Sequence, residues 1–483
     1  MKSDRTPIVD ALVGYTEKGI RPFHMPAHKG RLVLPGMEKF LTMQGMSCDL
    51  PCMEETDSWN HPTGCIAQAK RNASELYNTA DTFFLVNGSS MGNQVMLLSL
   101  QLQGKKLLLP RNFHISAFAA MALAGITPQY LPVSWADGMG SIPPTTAEII
   151  QHINEETGAV FITNPTYYGI GANLTELAAY CRQKQIPLIV DEAHGAHLAF
   201  SPAGFAQPAL AAGTDLVVQS LHKTLGSMIG TAQIHVNHSS LIAPDQVQYC
   251  LNLLQSTSSS NILLSSIDLC QAWLATDGRA AIAETIEQIS LLRQRLQTLE
   301  HIRVMDTADP LFPTHCAIDP FKLVMNVSAL GLTGFAAESI LKEEEGILCE
   351  FSDLSSVVFA MSPHDHHTDY QRLFNALWQL DQAGPRNNEA THALTGLQQF
   401  AIPEMKRTPR EACMARKTMM PLQDAVGTIC GELISVYPPG IPLICPGEVI
   451  TAAFLETMQT LLREKACIYS TDHSHQHILV IQP

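Results

Sequence analysis

The stretch Asp215-Leu-Val-Val-Gln-Ser-Leu-His-Lys223 joins a continuous apolar run to a polar end that carries a lysine. An uninterrupted apolar run of this length is typical of a strand that is buried on both faces of a parallel sheet. A second run, Pro187-Leu-Ile-Val190, lies upstream and is followed by Asp191-Glu-Ala-His194. We therefore predict two buried strands, each followed by polar side chains at the point where it ends.

Short apolar runs alternate with helical patterns from about residue 60 to residue 290. This alternation predicts an α/β fold whose large domain has a mostly parallel sheet, followed by smaller α/β C-terminal domains. Ligands of such sheets bind at the carboxyl ends of the strands. The other predicted strands and the predicted helices are Phe83-Phe-Leu-Val86, Lys106-Leu-Leu-Leu-Pro110 and Ala159-Val-Phe-Ile-Thr163, with helices from Ala117 to Ala124 and from Leu174 to Lys184.

The chain has 483 residues, which is too long for a single hydrophobic core. A long amphipathic helix pattern at 281–300 indicates that the chain leaves the large domain there, and Gln382 to Glu389 is typical of a linker. We predict four units: an N-terminal segment at 1–60, a large domain at 61–295, a small α/β domain at 296–385 and a C-terminal domain at 386–483.

The composition excludes several classes of protein. The net charge of −15 argues against binding to nucleic acid or to an anionic membrane surface. The N-terminal residues lack an apolar signal core and no 18-residue apolar run follows, which predicts a cytoplasmic protein. The twelve cysteines form no CxxC pair, and the histidine-rich stretches His364–His367 and His473–His477 have no helix that sets ligand spacing, so we expect no metal site.

Lys223 and Asp191 follow neighbouring predicted strands. A lysine and a carboxylate at one sheet edge are what pyridoxal 5'-phosphate (PLP) requires, since the lysine forms a Schiff base and the carboxylate keeps the pyridine nitrogen protonated. Asp191 alone is also compatible with a helix cap or a salt bridge. Directly after a buried strand, however, a carboxylate needs a cationic partner, and a pyridinium N–H is one.

A glycine- and hydroxyl-rich turn, Asn87-Gly-Ser-Ser-Met-Gly-Asn93, opens a predicted helix. Free backbone N–H groups and the positive end of the helix dipole suit a phosphate there. We therefore predict Gly88, Ser89 and Ser90 as phosphate ligands. Ordinary N-capping by serine is the alternative for this segment taken alone.

Other candidates follow the same strands. His114 can stack on the pyridine ring, and Ala193 is small enough to lie against a flat ring. His194 contacts the substrate carboxylate or stabilises its own turn, and the sequence leaves both open. Ser220 and His222 flank the lysine and can point toward the phosphate.

Thr257 and Ser258 lie in the polar stretch Gln255-Ser-Thr-Ser-Ser-Ser260. Hydroxyl groups in such a stretch can supply a further phosphate contact. A solvated polar loop is the competing interpretation.

The sequence resembles the Orn/Lys/Arg decarboxylase family of bacterial fold-type-I PLP enzymes over almost its whole length, and its length is similar to that of the short Gram-positive form. Each of the motifs is weak alone, but their ordered set is specific. They are His24-Met-Pro-Ala-His-Lys-Gly30, Asp57-Ser-Trp-Asn-His-Pro-Thr-Gly64, Leu85-Val-Asn-Gly-Ser-Ser90, Arg111-Asn-Phe-His114, Asn164-Pro-Thr-Tyr-Tyr-Gly169, Asp191-Glu-Ala-His-Gly195, Ser220-Leu-His-Lys223 and Tyr437-Pro-Pro-Gly-Ile-Pro442 with Pro446-Gly-Glu448.

The resemblance implies the same roles for Lys223, Asp191 and His114, and a homodimer or higher assembly with active sites at the subunit interface. By this analogy Thr257 would reach the phosphate of the neighbouring subunit. Glu448 becomes the candidate for binding the distal cationic group of a basic amino acid substrate.

The sequence departs from the family pattern in three places. The family usually has a lysine after the stacking histidine, where this chain has Ile115. The segments Thr56 to His61 and Thr224 to Gly230 are also unusual. These departures leave the PLP prediction unchanged.

The predicted reaction is the decarboxylation of arginine, lysine or ornithine to an amine of polyamine metabolism. The substrate displaces Lys223 from PLP, its carboxylate leaves as CO2 while the protonated ring accepts the electrons, and Lys223 or a histidine protonates Cα. Two alternatives remain open. One is another fold-type-I reaction, that of an aminotransferase or a lyase, and the other is a PLP-binding regulatory protein without turnover.

Overall fold

The computed structural model describes residues 17–29, 31–38, 41, 50–51, 57–136, 138–385, 402–436 and 440–482. Helices are numbered here along this described part of the chain, and short 3-10 and π segments are left unnumbered. They are α1 Cys65–Tyr77, α2 Gly88–Leu98, α3 Ile115–Ala124, α4 Thr146–His152, α5 Thr175–Gln183, α6 Leu221–Thr224, α7 Pro244–Leu254, α8 Asn261–Trp273, α9 Arg279–Leu296, α10 Gly334–Glu344, α11 His367–Gln382, α12 Pro409–Met414 and α13 Ala452–Arg463.

Strands are numbered in the same way. They are β1 Arg21–Pro22, β2 Asp81–Leu85, β3 Lys106–Pro110, β4 Pro128–Leu131, β5 Ser134–Ala136, β6 Gly140–Ile142, β7 Thr157–Thr163, β8 Ile170–Ala172, β9 Leu188–Asp191, β10 Leu216–Ser220, β11 Ala232–Val236, β12 Arg303–Val304, β13 Cys316–Ile318, β14 Lys322–Asn326, β15 Ile347–Leu348, β16 Phe351–Ser352, β17 Ser356–Ala360, β18 Lys417–Pro421, β19 Ile434–Val436, β20 Ile441–Ile444, β21 Ile468–Tyr469 and β22 His477–Ile481.

The central sheet has seven strands in the order β2-β11-β10-β9-β7-β3-β4. Neighbours from β10 to β4 pair in parallel, whereas β11 runs antiparallel to both β10 and β2. Strands β9 and β10 are buried at every residue, because helices cover both faces of the sheet. The predicted α/β fold with a mostly parallel sheet is confirmed.

The predicted strands and helices of this region correspond to observed elements, with one local difference. The run that ends at Lys223 stays extended only to Ser220, where β10 ends. Lys223 itself lies in the four-residue helix α6, which follows β10 directly. The lysine therefore stands just past the carboxyl end of the strand, at the edge where ligands of parallel sheets bind.

After α9 the chain builds a second, antiparallel sheet in the order β12-β14-β17-β16. The short strand β1 pairs in parallel with β15 of the same region, so residues near the N-terminus join it. The predicted domain boundaries stay predictions. The structure adds that strand β1, which lies in the predicted N-terminal segment, is hydrogen-bonded to β15 of the 296–385 region.

The C-terminal part forms two small antiparallel sheets, β20-β19-β21 and β18-β22, around a core of its own. It contacts the large domain next to His114, since the Ile115 amide donates to the Gly440 carbonyl at 3.1 Å. Residues 386–389 of the predicted linker and residues 437–439 of the proline-rich motif lie outside the described residues. Within the described chain, no helix combines the length and the apolar character needed to cross a membrane.

Candidate active site

A cavity of about 340 Å³ opens at the carboxyl ends of the central strands. Most of the residues predicted for the site line it. Four of the predicted residues are not part of its wall, namely Ser220, Thr257, Ser258 and Glu448. The wall consists of Val86, Asn87, Gly88, Ser89, Ser90, His114, Thr163, Pro165, Tyr167, Asp191, Ala193, His194, His222, Lys223, Ile229, Gly230 and Leu263.

Lys223 is half-buried in this wall, with its Nζ atom 3.0 Å from Nε2 of His194. Burial lowers the pKa of Lys223 to about 8, because an ammonium group loses hydration there, while the charges of Asp191 and Glu350 act in the opposite direction. A larger fraction of Lys223 is therefore the uncharged, nucleophilic amine near neutral pH than for an ordinary lysine.

Asp191 ends β9 and is buried, with 4% of its surface exposed. Its Oδ2 atom accepts a hydrogen bond of 2.7 Å from the side chain of Asn93, and its Oδ1 atom accepts one of 3.1 Å from the Ala193 amide. Within the described part of the chain, no lysine, arginine or histidine nitrogen lies within 4.0 Å of this carboxylate. It is thus a buried carboxylate that can accept a cationic N–H.

His114 is connected to Asp191 through two residues that sequence reasoning missed. Asn93 donates its second amide hydrogen to Ser116 Oγ at 2.9 Å, and Ser116 Oγ lies 2.8 Å from Nδ1 of His114. The Ser116 amide also donates to this Nδ1 atom, so the ring is neutral with its proton on Nε2. Burial lowers the pKa of His114 to about 4, which agrees with a neutral ring. Asn93 is the last residue of the glycine- and hydroxyl-rich turn and Ser116 lies two residues after His114, and the sequence pattern singled out only their neighbours.

His194 is also neutral. Burial and the charge of Lys223 hold the pKa of its imidazole well below the ordinary value. Its Nε2 atom faces Lys223 Nζ, and its Nδ1 atom is buried without a hydrogen-bond partner in the described chain. The ring packs edge-on against Tyr167 with centroids 5.3 Å apart.

The predicted phosphate turn has the expected shape, with one difference. Gly88 has a φ of +73°, which glycine adopts without strain. Its amide, however, donates to the Gly230 carbonyl at 2.8 Å, so it is not a free donor. Helix α2 starts here without a side-chain cap, and the Ser89 and Ser90 amides lie in the first turn, where helices leave N–H groups without intrahelical partners.

His222 and Ser220 lie on either side of Leu221 at the start of α6. Nδ1 of His222 donates to the Thr231 carbonyl at 2.8 Å, and burial lowers the pKa of its ring to about 4. Ser220 is fully buried, and its Oγ atom has no hydrogen-bond partner among the described residues, as is also true of Thr163 Oγ1 in the cavity wall. Such orphaned hydroxyl groups are rare in folded proteins and indicate a missing polar partner.

Thr257 and Glu448 lie outside the cavity wall. Thr257 is exposed in the segment between α7 and α8. Glu448 is fully buried, and its Oε2 atom lies 3.1 Å from Nη2 of Arg111 and accepts from the Cys445 amide at 2.7 Å. Because this carboxylate already has a cationic partner, the geometry of one chain gives no support to its predicted role toward a substrate, and that role stays a prediction.

The residues present fit PLP. The fit rests on the buried Asp191 carboxylate without a cationic partner, on the Lys223 amine with its lowered pKa, and on the orphaned Thr163 hydroxyl in the cavity wall. In the described chain no group of three or more histidine, cysteine, aspartate or glutamate side chains is arranged to hold a metal ion.

Comparisons with known proteins agree with this geometry. The family model described as "Orn/Lys/Arg decarboxylase, major domain" matches residues 6–369, and the model of the C-terminal domain of the same family matches residues 392–466. An arginine decarboxylase of Bacillus subtilis (strain 168) is 32% identical over 455 residues, which cover 93% of this chain and 92% of that protein.

More distant relatives share the fold. The lysine decarboxylase LdcA of Pseudomonas aeruginosa is 23% identical, covering 98% of this chain and 78% of that protein. The structure of the constitutive lysine decarboxylase of E. coli superimposes with a TM-score of 0.78 at 19% identity, covering 99% of this chain and 82% of that one. The chain therefore belongs to the Orn/Lys/Arg decarboxylase family and is an amino acid decarboxylase.

Proposed function

We propose that the protein uses PLP to decarboxylate a basic amino acid, and that arginine is the preferred substrate. The observation that carries this proposal is the meeting of a lysine with lowered pKa and a buried, cation-free aspartate in one cavity at the sheet edge. The choice of arginine is supported by the relatives named arginine decarboxylase, which exceed 30% identity over more than 90% of the chain.

The cavity residues divide by role. Asp191 would accept the N–H of the protonated pyridine, and His114 and Ala193 would contact the ring. Ser89, Ser90, Ser220 and His222 would hold the phosphate. PLP bound there supplies an electron sink for the pair that is left on Cα when the carboxylate departs as CO2.

Lys223 would anchor the cofactor through its side-chain nitrogen. Its lowered pKa makes the amine available at neutral pH, and the same atom can carry a proton to Cα after CO2 has left. His194 lines the cavity with its Nε2 atom 3.0 Å from Lys223 Nζ, and from this place its ring would contact and orient the substrate carboxylate.

We further propose that the chain works as a homodimer or higher assembly. Thr257 lies outside the cavity of its own chain, which suits a contact with the phosphate of a second subunit. Large apolar side chains are exposed on the chain: Ile229, in the cavity wall, is 65% exposed, and Tyr249 and Leu253 in α7 are 62% and 60% exposed. A large exposed apolar side chain at the mouth of a site suits a protein interface there. Light scattering of the purified protein measures the assembly.

The experiment that tests the proposed reaction is direct. The purified protein, loaded with PLP, is incubated with a mixture of arginine, lysine and ornithine, and the amines and CO2 are quantified. We expect CO2 and agmatine in equal amounts. Formation of a keto acid without CO2 would indicate an aminotransferase, and bound PLP with no turnover of any of the three would indicate a regulatory protein. The cytoplasmic location and the role in polyamine formation stay predictions.

A further inference from the structure

The motif at His24–Lys29 has no part in the proposed chemistry, yet its residues bridge two regions of the fold. Strand β1, just before it, pairs with β15. The Phe23 amide then donates to the Leu348 carbonyl at 2.9 Å, and the Phe23 carbonyl accepts from the Ala360 amide at 2.9 Å. The start of this segment, Phe23–Lys29, is therefore hydrogen-bonded to strands β15 and β17 of the region that follows α9.

Lys29 fixes the far end of the segment. Its Nζ atom donates to the His24 carbonyl at 2.9 Å and to the Ala360 carbonyl at 2.8 Å, and it lies 4.0 Å from Oδ1 of Asp365. The side chains of Lys29 and Asp365 are only 1% and 2% exposed. A buried ammonium with two hydrogen bonds to backbone carbonyls and a carboxylate 4.0 Å away holds the surrounding chain in one arrangement.

The middle of the segment touches the turn of the catalytic lysine. The Ala27 amide donates to the carbonyl of His222 at 2.9 Å, and His222 immediately precedes Lys223 in α6. The Ala27 carbonyl accepts from Ser362 Oγ at 2.8 Å. Two residues earlier, the Met25 amide donates to Oε2 of Glu350 at 2.7 Å. The segment Phe23–Lys29 is thus hydrogen-bonded both to the region that follows α9 and to the turn that carries Lys223.

We propose that Lys29 is a positioning residue for Lys223: it anchors Phe23–Lys29 so that the Ala27 amide holds the His222 carbonyl and fixes the turn that presents the reactive amine. The inference rests on the proposed function only in taking Lys223 as the cofactor lysine. It gives the His24–Lys29 motif a role that requires no contact with substrate.

The pKa of Lys223 reports on this role. Burial is the main cause of its lowering, and the charges that act on it belong to Asp191, Glu350 and Lys322. Because the charge of Lys29 is not among these, removal of Lys29 changes the pKa of Lys223 only by shifting the segment Phe23–Lys29. A loosened turn admits water, which returns the pKa of Lys223 from about 8 toward the ordinary lysine value.

The test uses the apoprotein of a Lys29→Met variant. The rate at which Lys223 is acylated by acetic anhydride is followed across a pH series by mass spectrometry of its peptide. We expect its apparent pKa to rise by about one unit relative to the unmodified protein. Lys70→Met is the matched control, because Lys70 is also a largely buried lysine, 3.6 Å from Asp81, and lies outside this segment. The control should lose stability without moving the pKa of Lys223.

Ser362→Ala is the milder second variant, for the case in which Lys29→Met does not fold. It removes the side-chain bond to the Ala27 carbonyl, and it should move the pKa of Lys223 in the same direction by a smaller amount. In the PLP-loaded enzyme, kcat of Lys29→Met should fall about tenfold or more with KM little changed, as expected for a displaced catalytic group.

An unchanged Lys223 pKa in the folded variants, together with a kcat equal to that of Lys70→Met, would overturn the proposal. Because the labelling uses apoprotein, it does not depend on which reaction the enzyme catalyses. A protein that decarboxylates no basic amino acid would contradict the proposed function and leave the labelling result intact.

Discussion

The side-chain amide of Asn93 donates a 2.7 Å hydrogen bond to Oδ2 of Asp191. The other hydrogen of the same amide is donated to Ser116 Oγ, which leads on to the ring of His114. One residue at the middle of α2 therefore orients both the carboxylate proposed to face the pyridine nitrogen and the histidine proposed to contact the ring. Positioning groups of this kind set the geometry of the residues that touch a cofactor.

Asn93→Ala should weaken PLP binding by about tenfold, because a buried carboxylate loses one of its hydrogen bonds. Asn93→Asp should weaken it further, since a second negative charge would face Asp191. Titration of the apoprotein with PLP, followed by visible absorbance, measures the dissociation constant. Asn237→Ala is the control, because Asn237 donates to the Leu210 carbonyl outside the cavity wall. Equal affinities for Asn93→Ala and the control would remove Asn93 from the site.

Asp191→Ala should retain some bound PLP, because the phosphate contacts and Lys223 remain. It should lower kcat by about a hundredfold or more, since the ring nitrogen loses the group that keeps it protonated. Steady-state assays with arginine at saturating PLP measure this loss. An unaffected rate would show that Asp191 has no part in the mechanism.

The sequence predicted the carboxyl edge of the sheet and most of the cavity wall, because buried parallel strands have a strong apolar signature and their ends are marked by polar residues. It did not identify Asn93, Ser116 or Thr163. A lone polar residue in a helix or at a strand end has no pattern that separates an inward hydrogen bond from a solvent-facing one.

The ion pair of Arg111 and Glu448 shows a second limit of prediction from the sequence. The two residues are 337 positions apart, and only the folded chain shows that they face each other. The motif around Glu448 predicts a substrate ligand. It does not show that the Arg111 guanidinium lies 3.1 Å from the Glu448 carboxylate. Likewise, Ile115, which replaces the usual family lysine, contacts the C-terminal region through its backbone amide.

Glu448→Gln separates the two possible roles of that residue. If Glu448 joins the C-terminal region to the large domain, breaking the buried ion pair should lower the free energy of unfolding by about 3 kcal/mol and leave KM for arginine unchanged. Urea denaturation and steady-state kinetics measure the two quantities. Glu404→Gln, at an exposed ion pair with Lys406, is the control. A large rise in KM with unchanged stability would support the substrate role instead.

The neutral histidines predict acid sensitivity of the apoprotein. Burial lowers the pKa of His222 to about 4, below the ordinary value of about 6.5. Between these values the unfolded chain binds a proton that the folded chain does not, so the free energy of unfolding falls as the pH drops through this window. At pH 5 the contribution of His222 amounts to about 2 kcal/mol.

His222→Gln should therefore flatten the pH dependence of stability between pH 7 and pH 5. Urea unfolding of the apoprotein at the two pH values provides the measurement, and His152→Gln, at an exposed position, is the control. Identical slopes for the unmodified protein and His222→Gln would show that the folded chain binds the proton at His222 as readily as the unfolded chain.

The proposed mechanism requires the amine of Lys223 to join covalently to PLP. Reduction of the PLP-loaded protein with borohydride, followed by peptide mass spectrometry, tests it most directly, with Lys223→Ala as the comparison. We expect a reduced pyridoxyl group on the peptide that contains Lys223, and the loss of both the label and turnover in Lys223→Ala. A label on another lysine, or near-normal turnover by Lys223→Ala, would contradict it.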